Sequence, residues 1–363
     1  MKFKKVGFRN FRNLKDGFVD IPSRQILLVG ENGQGKTNFL EALYFICYGS
    51  SFRTKNLKEC LNYGKNTFEV WADIINSSGY ESRINIKYKQ GKKIILIDNQ
   101  EIHDRKELIY NIPCVNFSYD DIEIIRGLPQ ERRNFFDQIL CMYDSIYLDN
   151  LRKYKVCLKQ RNAAIKDLIY ELIPIYNQKL AEYGFNILKS RKKLVKFFND
   201  IFPSFYSEIA QDNRKMKISY NPSWKKIENE KDIIEILEKN QELDFKMLTT
   251  TTGIHRDKFI ILDQNGPFIN SGSTGQLRLA SLVLKSIQAF YFKTYSKLEP
   301  ILLIDDVLLE LDSKKRGKFL EKMVNYSQVF FTFLIVEKYF SKIKEDSLIF
   351  KVEKGEVCNE RQE

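Results

Sequence analysis

Histidine is nearly missing from this chain: only His103 and His255 occur in 363 residues, and the six cysteines, Cys47, Cys60, Cys114, Cys141, Cys157 and Cys358, form no C-x-x-C pair. A structural zinc site, which needs clustered thiolates and imidazoles, is therefore not expected. No apolar run approaches the roughly 18 residues of a membrane span; the strongest, Phe330 to Val336, has the length of a strand. Met1-Lys2-Phe3-Lys4-Lys5-Val6-Gly7-Phe8 is basic, but polar residues follow it where a signal peptide would continue with an apolar stretch. There is no internal repeat. Together these absences predict a reduced, soluble, cytoplasmic protein. Acidic residues are in deficit too, 47 against 59 basic ones, for a formal charge of +12. Such a balance favours a polyanionic partner through phosphate neutralisation and counterion release. The length allows two domains, each with its own core.

What is present begins with Gly30-Glu31-Asn32-Gly33-Gln34-Gly35-Lys36-Thr37, which matches G-x-x-x-x-G-K-[ST]. It lies between an apolar run, Gln25 to Val29, and a helical pattern from Asn38 to Ile46, the context a phosphate loop requires. Glycines let backbone N–H groups approach phosphates, and the helix beginning at Lys36 turns its positive end toward the same anion. Lys36 is expected to reach the β and γ oxygens of ATP, and Thr37 to ligate Mg²⁺ through its hydroxyl.

Texture along the chain predicts a mixed α/β architecture. To about residue 115, strand-like runs such as Thr67 to Ile74 and Ile94 to Ile97 alternate with turn clusters. From about Asp120 to Glu242 helix formers dominate, and Tyr176, Leu180, Tyr183, Ile187, Leu194, Phe197 and Ile201 keep a 3–4 spacing broken only at Ser190. This reads as an antiparallel helical arm, short in reach, with Pro174 and Pro203 at helix ends. Alternation returns after Lys246, with Phe259 to Asp263, a helix over about Gln276 to Thr294, and the strand Pro300 to Asp305. The expected domains are a discontinuous head, 1–119 with 246–363, and an arm, 120–245. The polar end, Glu353 to Glu363, is expected to fray.

Ile301-Leu302-Leu303-Ile304-Asp305-Asp306 delivers two carboxylates at a strand's carboxyl end, a Walker B strand, where open α/β sheets place ligands. Asp305 is expected to hold Mg²⁺ indirectly or through water, and Asp306 to sit where a base could orient the attacking water. The separation of 269 positions from Lys36 to Asp305 exceeds what a simple P-loop domain needs. Ahead of the strand, Ser271-Gly272-Ser273-Thr274-Gly275-Gln276-Leu277-Arg278 opens a helix, and after it comes Leu309-Glu310-Leu311-Asp312.

In this order the motifs resemble ABC-type heads of the SMC class. Further segments narrow the resemblance to the RecF family: Asn10-Phe11-Arg12-Asn13, Gly49 to Thr54, Phe117 to Glu123, Ile125 to Asp137 with Arg132-Arg133 at its centre, Leu158 to Ala163, and Thr252 to Asp257. It covers about residues 3–335. The chain departs from the family at Lys258, which follows His255-Arg256-Asp257 where a second acid is usual. It departs again after Phe331-Thr332, where Phe333-Leu334-Ile335 replaces a Thr-rich switch. The resemblance implies an ABC/SMC-type P-loop ATPase head with an inserted helical arm. It implies that Ser273, Gly275 and Gln276 contact the γ-phosphate held by a second copy, so that ATP and Mg²⁺ close a homodimer that hydrolyses slowly. It further implies binding to single- and double-stranded DNA at gaps, with RecR and RecO, to help load RecA in repair, replication restart and SOS induction. A transporter's nucleotide-binding subunit and a structural SMC-like protein are the competing readings; the wide motif separation disfavours the first and the short arm the second.

Candidate DNA contacts are Arg53 and Lys55 by family analogy, and Arg152, Lys155, Lys159 and Lys166 on one helical face. A second cluster is Lys189, Arg191, Lys192, Lys193 and Lys196. Arg132 and Arg133 are candidates either for DNA or for an ion pair with Asp137 or Glu131. His255 either senses nucleotide or caps a loop.

Overall fold

The computed structural model describes every residue except 77, 324, 335–346 and 360–363. The chain divides into two compact units, Met1–Asp120 with Gln288–Glu363, and Asp121–Ile287.

The first unit holds two six-stranded sheets. One is antiparallel, ordered Gly17–Asp20, Lys2–Arg9, Thr67–Ile75, Glu81–Lys89, Lys92–Ile97, Gln100–Ile102. Its central strand Thr67–Ile75 alternates buried and half-buried residues, so one face meets the core more closely than the other. The other runs Glu356–Asn359, Ser347–Glu353, Gln25–Val29, Gln328–Phe333, Ile301–Ile304, Cys114–Phe117, parallel throughout except for the hairpin strand Glu356–Asn359. Ile301–Ile304 and Gln328–Phe333 are buried at every residue, which is why they read as unbroken apolar runs. Helix Lys36–Tyr48 is packed between the two sheets, with Phe39 against Phe330 on one side and Phe45 against Phe68 on the other. The polar chain end does not fray up to Asn359: Ser347–Glu353 pairs with Gln25–Val29, and the strand Glu356–Asn359 folds back on it. The remainder of that segment, 360–363, lies outside the described residues.

The second unit is built on helices Pro129–Tyr143, Ser145–Lys166 and Ile173–Ala210, with a small antiparallel sheet of Lys217–Asn221, Lys258–Asp263 and Gly266–Pro267. The two long helices are antiparallel, since Arg161 Nε meets Asn177 at 2.7 Å while Arg191 Nε meets the Tyr147 hydroxyl at 3.4 Å. The change of texture at Lys246 and the change of unit at Ile287 do not coincide. Lys258–Asp263 has the pattern of a head strand but pairs with Lys217–Asn221, inside the helical block.

Pro203 is not a helix end. It lies inside the 38-residue helix Ile173–Ala210, whereas Pro174 occupies the first turn as expected. An interior proline costs about 3 kcal/mol, and here Phe198, Phe202, Tyr206 and Ile209, all fully buried, offset it. Among the described residues no helix is long and apolar enough to cross a membrane.

Candidate phosphate-binding site

Strand Gln25–Val29 ends at Gly30, where any side chain would strike the Val352 carbonyl: a Cβ there would stand 2.3 Å from that oxygen. The loop then turns through Gly33 (φ 78°) and Gly35 (φ 119°), backbone conformations that cost glycine little. Lys36 is almost fully buried and donates from Nζ to the carbonyls of Gly30 at 2.8 Å and Glu31 at 3.0 Å. The ammonium is thus folded over its own loop, poised above the N-terminus of helix Lys36–Tyr48. The cavity there, about 280 Å³, is lined by Asn32, Gly33, Gly35, Lys36, Thr37, Asn38, Arg53 and Asp306.

The strand order sets the acid side of this cavity. Gln328–Phe333 lies between the phosphate-loop strand and Ile301–Ile304, so the carboxyl ends of all three converge. Thr37 Oγ1 donates to Asp305 Oδ1 at 2.9 Å. Thr332 Oγ1 lies 3.1 Å from the same oxygen and 2.9 Å from Asp306 Oδ1, and accepts from the Asp306 N–H at 2.8 Å. Asp306 adopts a left-handed backbone (φ 54°), which Asp tolerates better than most residues, and this bend returns its carboxylate toward Thr332. Burial pushes the Asp305 carboxyl up to about 6; the Asp306 charge pushes the same way, and the hydrogen bonds from Thr37 and Thr332 oppose them.

Hard oxygen donors, two carboxylates and a hydroxyl, suit Mg²⁺. No group of three or more His, Cys, Asp or Glu among the described residues forms a metal cage, so a bound ion would complete its shell with phosphate and water oxygens.

Three supports of this loop carry no motif of their own. Asn13 Nδ2 donates to the Gly33 carbonyl, and its Oδ1 accepts from Asn38. Glu41, fully buried, takes Arg12 through both its oxygens at 2.7 and 2.9 Å, Ser51 at 2.5 Å and Arg53 at 3.3 Å. From the chain end, Gly355 N–H donates to the Gln34 carbonyl and Lys354 N–H to its side chain. Asn10 to Asn13 was legible as a family segment, whereas its contact with the loop required the fold. Thr332 is the residue that sequence reasoning left without a role; the Leu334 to Ile335 part of the same switch segment reaches beyond the described residues.

Residues 2–357 match the family model of the RecF/RecN/SMC N-terminal domain. The chain belongs to the RecF family. The RecF protein of Treponema pallidum is 38% identical over 97% of this chain and 99% of its own length, and that of Clostridium botulinum (strain Langeland) 33% over 98% and 99%. A solved structure of "the recombination mediator protein RecF-ATP in RecFOR pathway" superposes with a TM-score of 0.90 at 31% identity, over 98% of this chain and 97% of that one. An SMC head bound to the C-terminal winged helix of ScpA, at 14% identity and a TM-score of 0.57, shares the fold. The architecture is accordingly an ABC/SMC-type P-loop ATPase head with an inserted helical arm.

Within this RecF fold the other sequence candidates divide clearly. Ser273 N-caps the long helix Thr274–Ser296: its Oγ accepts from Gln276 N–H while Gln276 Oε1 accepts from Ser273 N–H at 2.9 Å. Ser273 and Gly275 are exposed, and nothing stands within 4 Å of a Cβ at Gly275. Lys55, Arg152, Lys155 and Lys159 are exposed as expected. Arg53, paired with Asn38 and Glu41, lines the phosphate cavity, a placement nearer to nucleotide than to a DNA face.

Arg191 leaves its basic cluster: it is fully buried, bound to Asp137 and to Asp257 at 2.7 Å. Arg132 and Arg133 are structural, but their partners are not Asp137 or Glu131. Arg132 donates to the Ile125 and Gly127 carbonyls, and Arg133 to the Asp257 carbonyl and Gln130. His255 caps a loop, with Nε2 against the Thr250 carbonyl and Nδ1 against the Tyr154 hydroxyl. Burial lowers its pKa to about 4 and keeps the ring neutral.

Proposed function

We propose that this chain is a nucleotide-switched DNA-binding protein of recombinational repair. Its relatives are named DNA replication and repair proteins, and one solved relative is titled a recombination mediator bound to ATP. The observation that carries the reading is the convergence of Lys36, Thr37 and Asp306 on one cavity, with Asp305 hydrogen-bonded to Thr37 behind it, since a lysine, a hydroxyl and paired carboxylates are the groups that triphosphate chemistry needs. Lys36 exchanges its two loop carbonyls for phosphate oxygens. Thr37 and Asp305 would hold Mg²⁺, which would supply positive charge to the phosphate oxygens, and Asp306 would take the proton of the attacking water as its oxygen bonds the γ-phosphorus and ADP leaves. Its short side chain suits slow hydrolysis, so the ATPase acts as a timer.

Ser273, Gly275 and Gln276 of a second copy complete the site from the exposed start of their helix, whose N–H groups favour an anion. ATP thereby joins two copies and ADP releases them. The closed homodimer binds gapped DNA through basic surface that includes Lys55, Arg152, Lys155 and Lys159, and works with RecR and RecO to load RecA in repair, replication restart and SOS induction in the cytoplasm. The test is the size of the DNA-bound species by sedimentation with ATP and Mg²⁺, with ADP, and with neither. A dimer is expected only with ATP, and Lys36→Met is expected to remain monomeric in all three. A solitary protomer with saturating ATP overturns the reading.

A further inference from the structure

A cavity of about 760 Å³ in the second unit is lined by Asn221, Pro222, Ser223, Lys225, Lys226, Arg256 and Lys258. Four of its seven walls are cations and none is an acid. All four are exposed, and among the described residues Lys225, Lys226 and Lys258 have no ion-pair partner.

The walls are held from behind. Trp224, 1% exposed, anchors the loop that carries Lys225 and Lys226. Ser223 N–H donates to Asp257 Oδ1 at 2.8 Å, and Ser223 Oγ accepts from Gly253 N–H at 3.0 Å, which ties that loop to the segment bearing Arg256 and Lys258. Asp257, 1% exposed, is locked in turn by Arg191 and Tyr220. The buried network that removed Arg191 from the surface therefore fixes the position of four surface cations. A charged loop that merely kept the protein soluble would need no such anchoring.

We propose that this cavity grips successive phosphates of a DNA backbone. It contains no aromatic side chain on which a base or a nucleoside could stack, so it offers a ligand charge contacts and one serine hydroxyl, the means by which proteins hold nucleic-acid backbones without reading sequence. The inference rests on the DNA-binding reading above and assigns it a site in the second unit that the sequence candidates did not include.

The test compares the full chain with the triple variant Lys225→Ala, Lys226→Ala, Lys258→Asp, in fluorescence anisotropy titrations with two blunt duplexes of unrelated sequence from about 50 to about 200 mM salt. The parent is expected to bind both alike. The variant is expected to bind both about 10- to 100-fold more weakly, with a log–log salt slope shallower by about 0.9 for each phosphate it no longer neutralises. Its DNA-free ATP turnover and thermal midpoint should match the parent's, because none of the three residues is buried. A charge-retaining triple Lys→Arg variant should bind like the parent. Superimposable isotherms for parent and alanine/aspartate variant overturn the site while leaving the DNA-binding reading intact, as does a variant that keeps DNA affinity yet loses retention on immobilised polyglutamate, which would assign the cavity to an acidic protein. A parent that binds no duplex overturns both.

Discussion

Asp305 is raised to about 6 by a site that expects a cation, and that shift has a definite sign. In the unfolded chain an aspartate titrates near 4. Between about pH 4 and pH 6 the unfolded form therefore ionises first, so this group's contribution to stability is whole below about pH 4 and is lost as pH rises through about 6. Asp305→Asn should then raise the melting temperature of the nucleotide-free protein at pH 7.5 by about 3 °C, and leave it unchanged below about pH 3, where the aspartate is neutral in the folded and the unfolded chain alike. A thermal-shift series in pH checks this. A variant melting no higher than the parent at pH 7.5 would show that Asp305 carries no unfavourable charge. The residues of this site were unevenly legible. The loop and the paired carboxylates declare themselves because phosphate chemistry demands fixed spacing. Thr332 and Glu41 do not, since a threonine on a buried strand and a glutamate on an apolar helix acquire meaning only from neighbours 27 and 29 residues away. Arg191 was misplaced for a different reason. Counting charges grouped it with Lys189, Lys192, Lys193 and Lys196, whereas helical phase places it with Ile187, Leu194, Val195 and Phe198 on the buried face.

The hairpin Ser347–Asn359 shows what an apparently expendable element can support. Its second half, from Glu353, belongs to a polar segment, yet its turn is pressed against the phosphate loop. Gly355 sits at φ 80°, and a Cβ there would stand 1.9 Å from the Asn13 carbonyl, on the same asparagine that holds Gly33. Gly355→Ala therefore strains the turn twice, by conformation and by collision with backbone, and threatens its hydrogen bond to Gln34. The expected result is a chain that folds, melts several degrees lower and binds ATP about tenfold more weakly by calorimetry; parental affinity would show that the hairpin does not position the loop. Neither this contact nor the continuation of helix Ile173–Ala210 through Pro203 could be read from local propensity. Both depend on burial against distant segments, which outweighs the local signal. The strand Lys258–Asp263 was recognisable as a strand, but its partner Lys217–Asn221 lay in sequence that read as helical, so its unit was not.

Every residue that lines the phosphate cavity, from Asn32 to Asn38 with Arg53 and Asp306, belongs to one unit, and so do Asp305 and Thr332, which are hydrogen-bonded to that lining. Ser273 belongs to the other, exposed at the start of its helix with open space about Gly275. Binding of nucleotide and pairing of copies should therefore be separable by mutation. Ser273→Arg inserts a long cation at the exposed helix start while retaining the Ser273 N–H to Gln276 half of the capping box, so it should lower stability by only about 1 kcal/mol. ATP affinity should remain parental. Sedimentation with ATP and Mg²⁺ should nonetheless show a monomer, because the added side chain occupies the space a neighbouring phosphate site needs. Ser273→Ala is the control that isolates the cap: it removes the same hydroxyl without filling that space, and should weaken pairing only partly. If Ser273→Arg still sediments as a dimer at parental ATP concentrations, the turn that bears Ser273 does not lie between the copies, and the ligand must join them through some other surface.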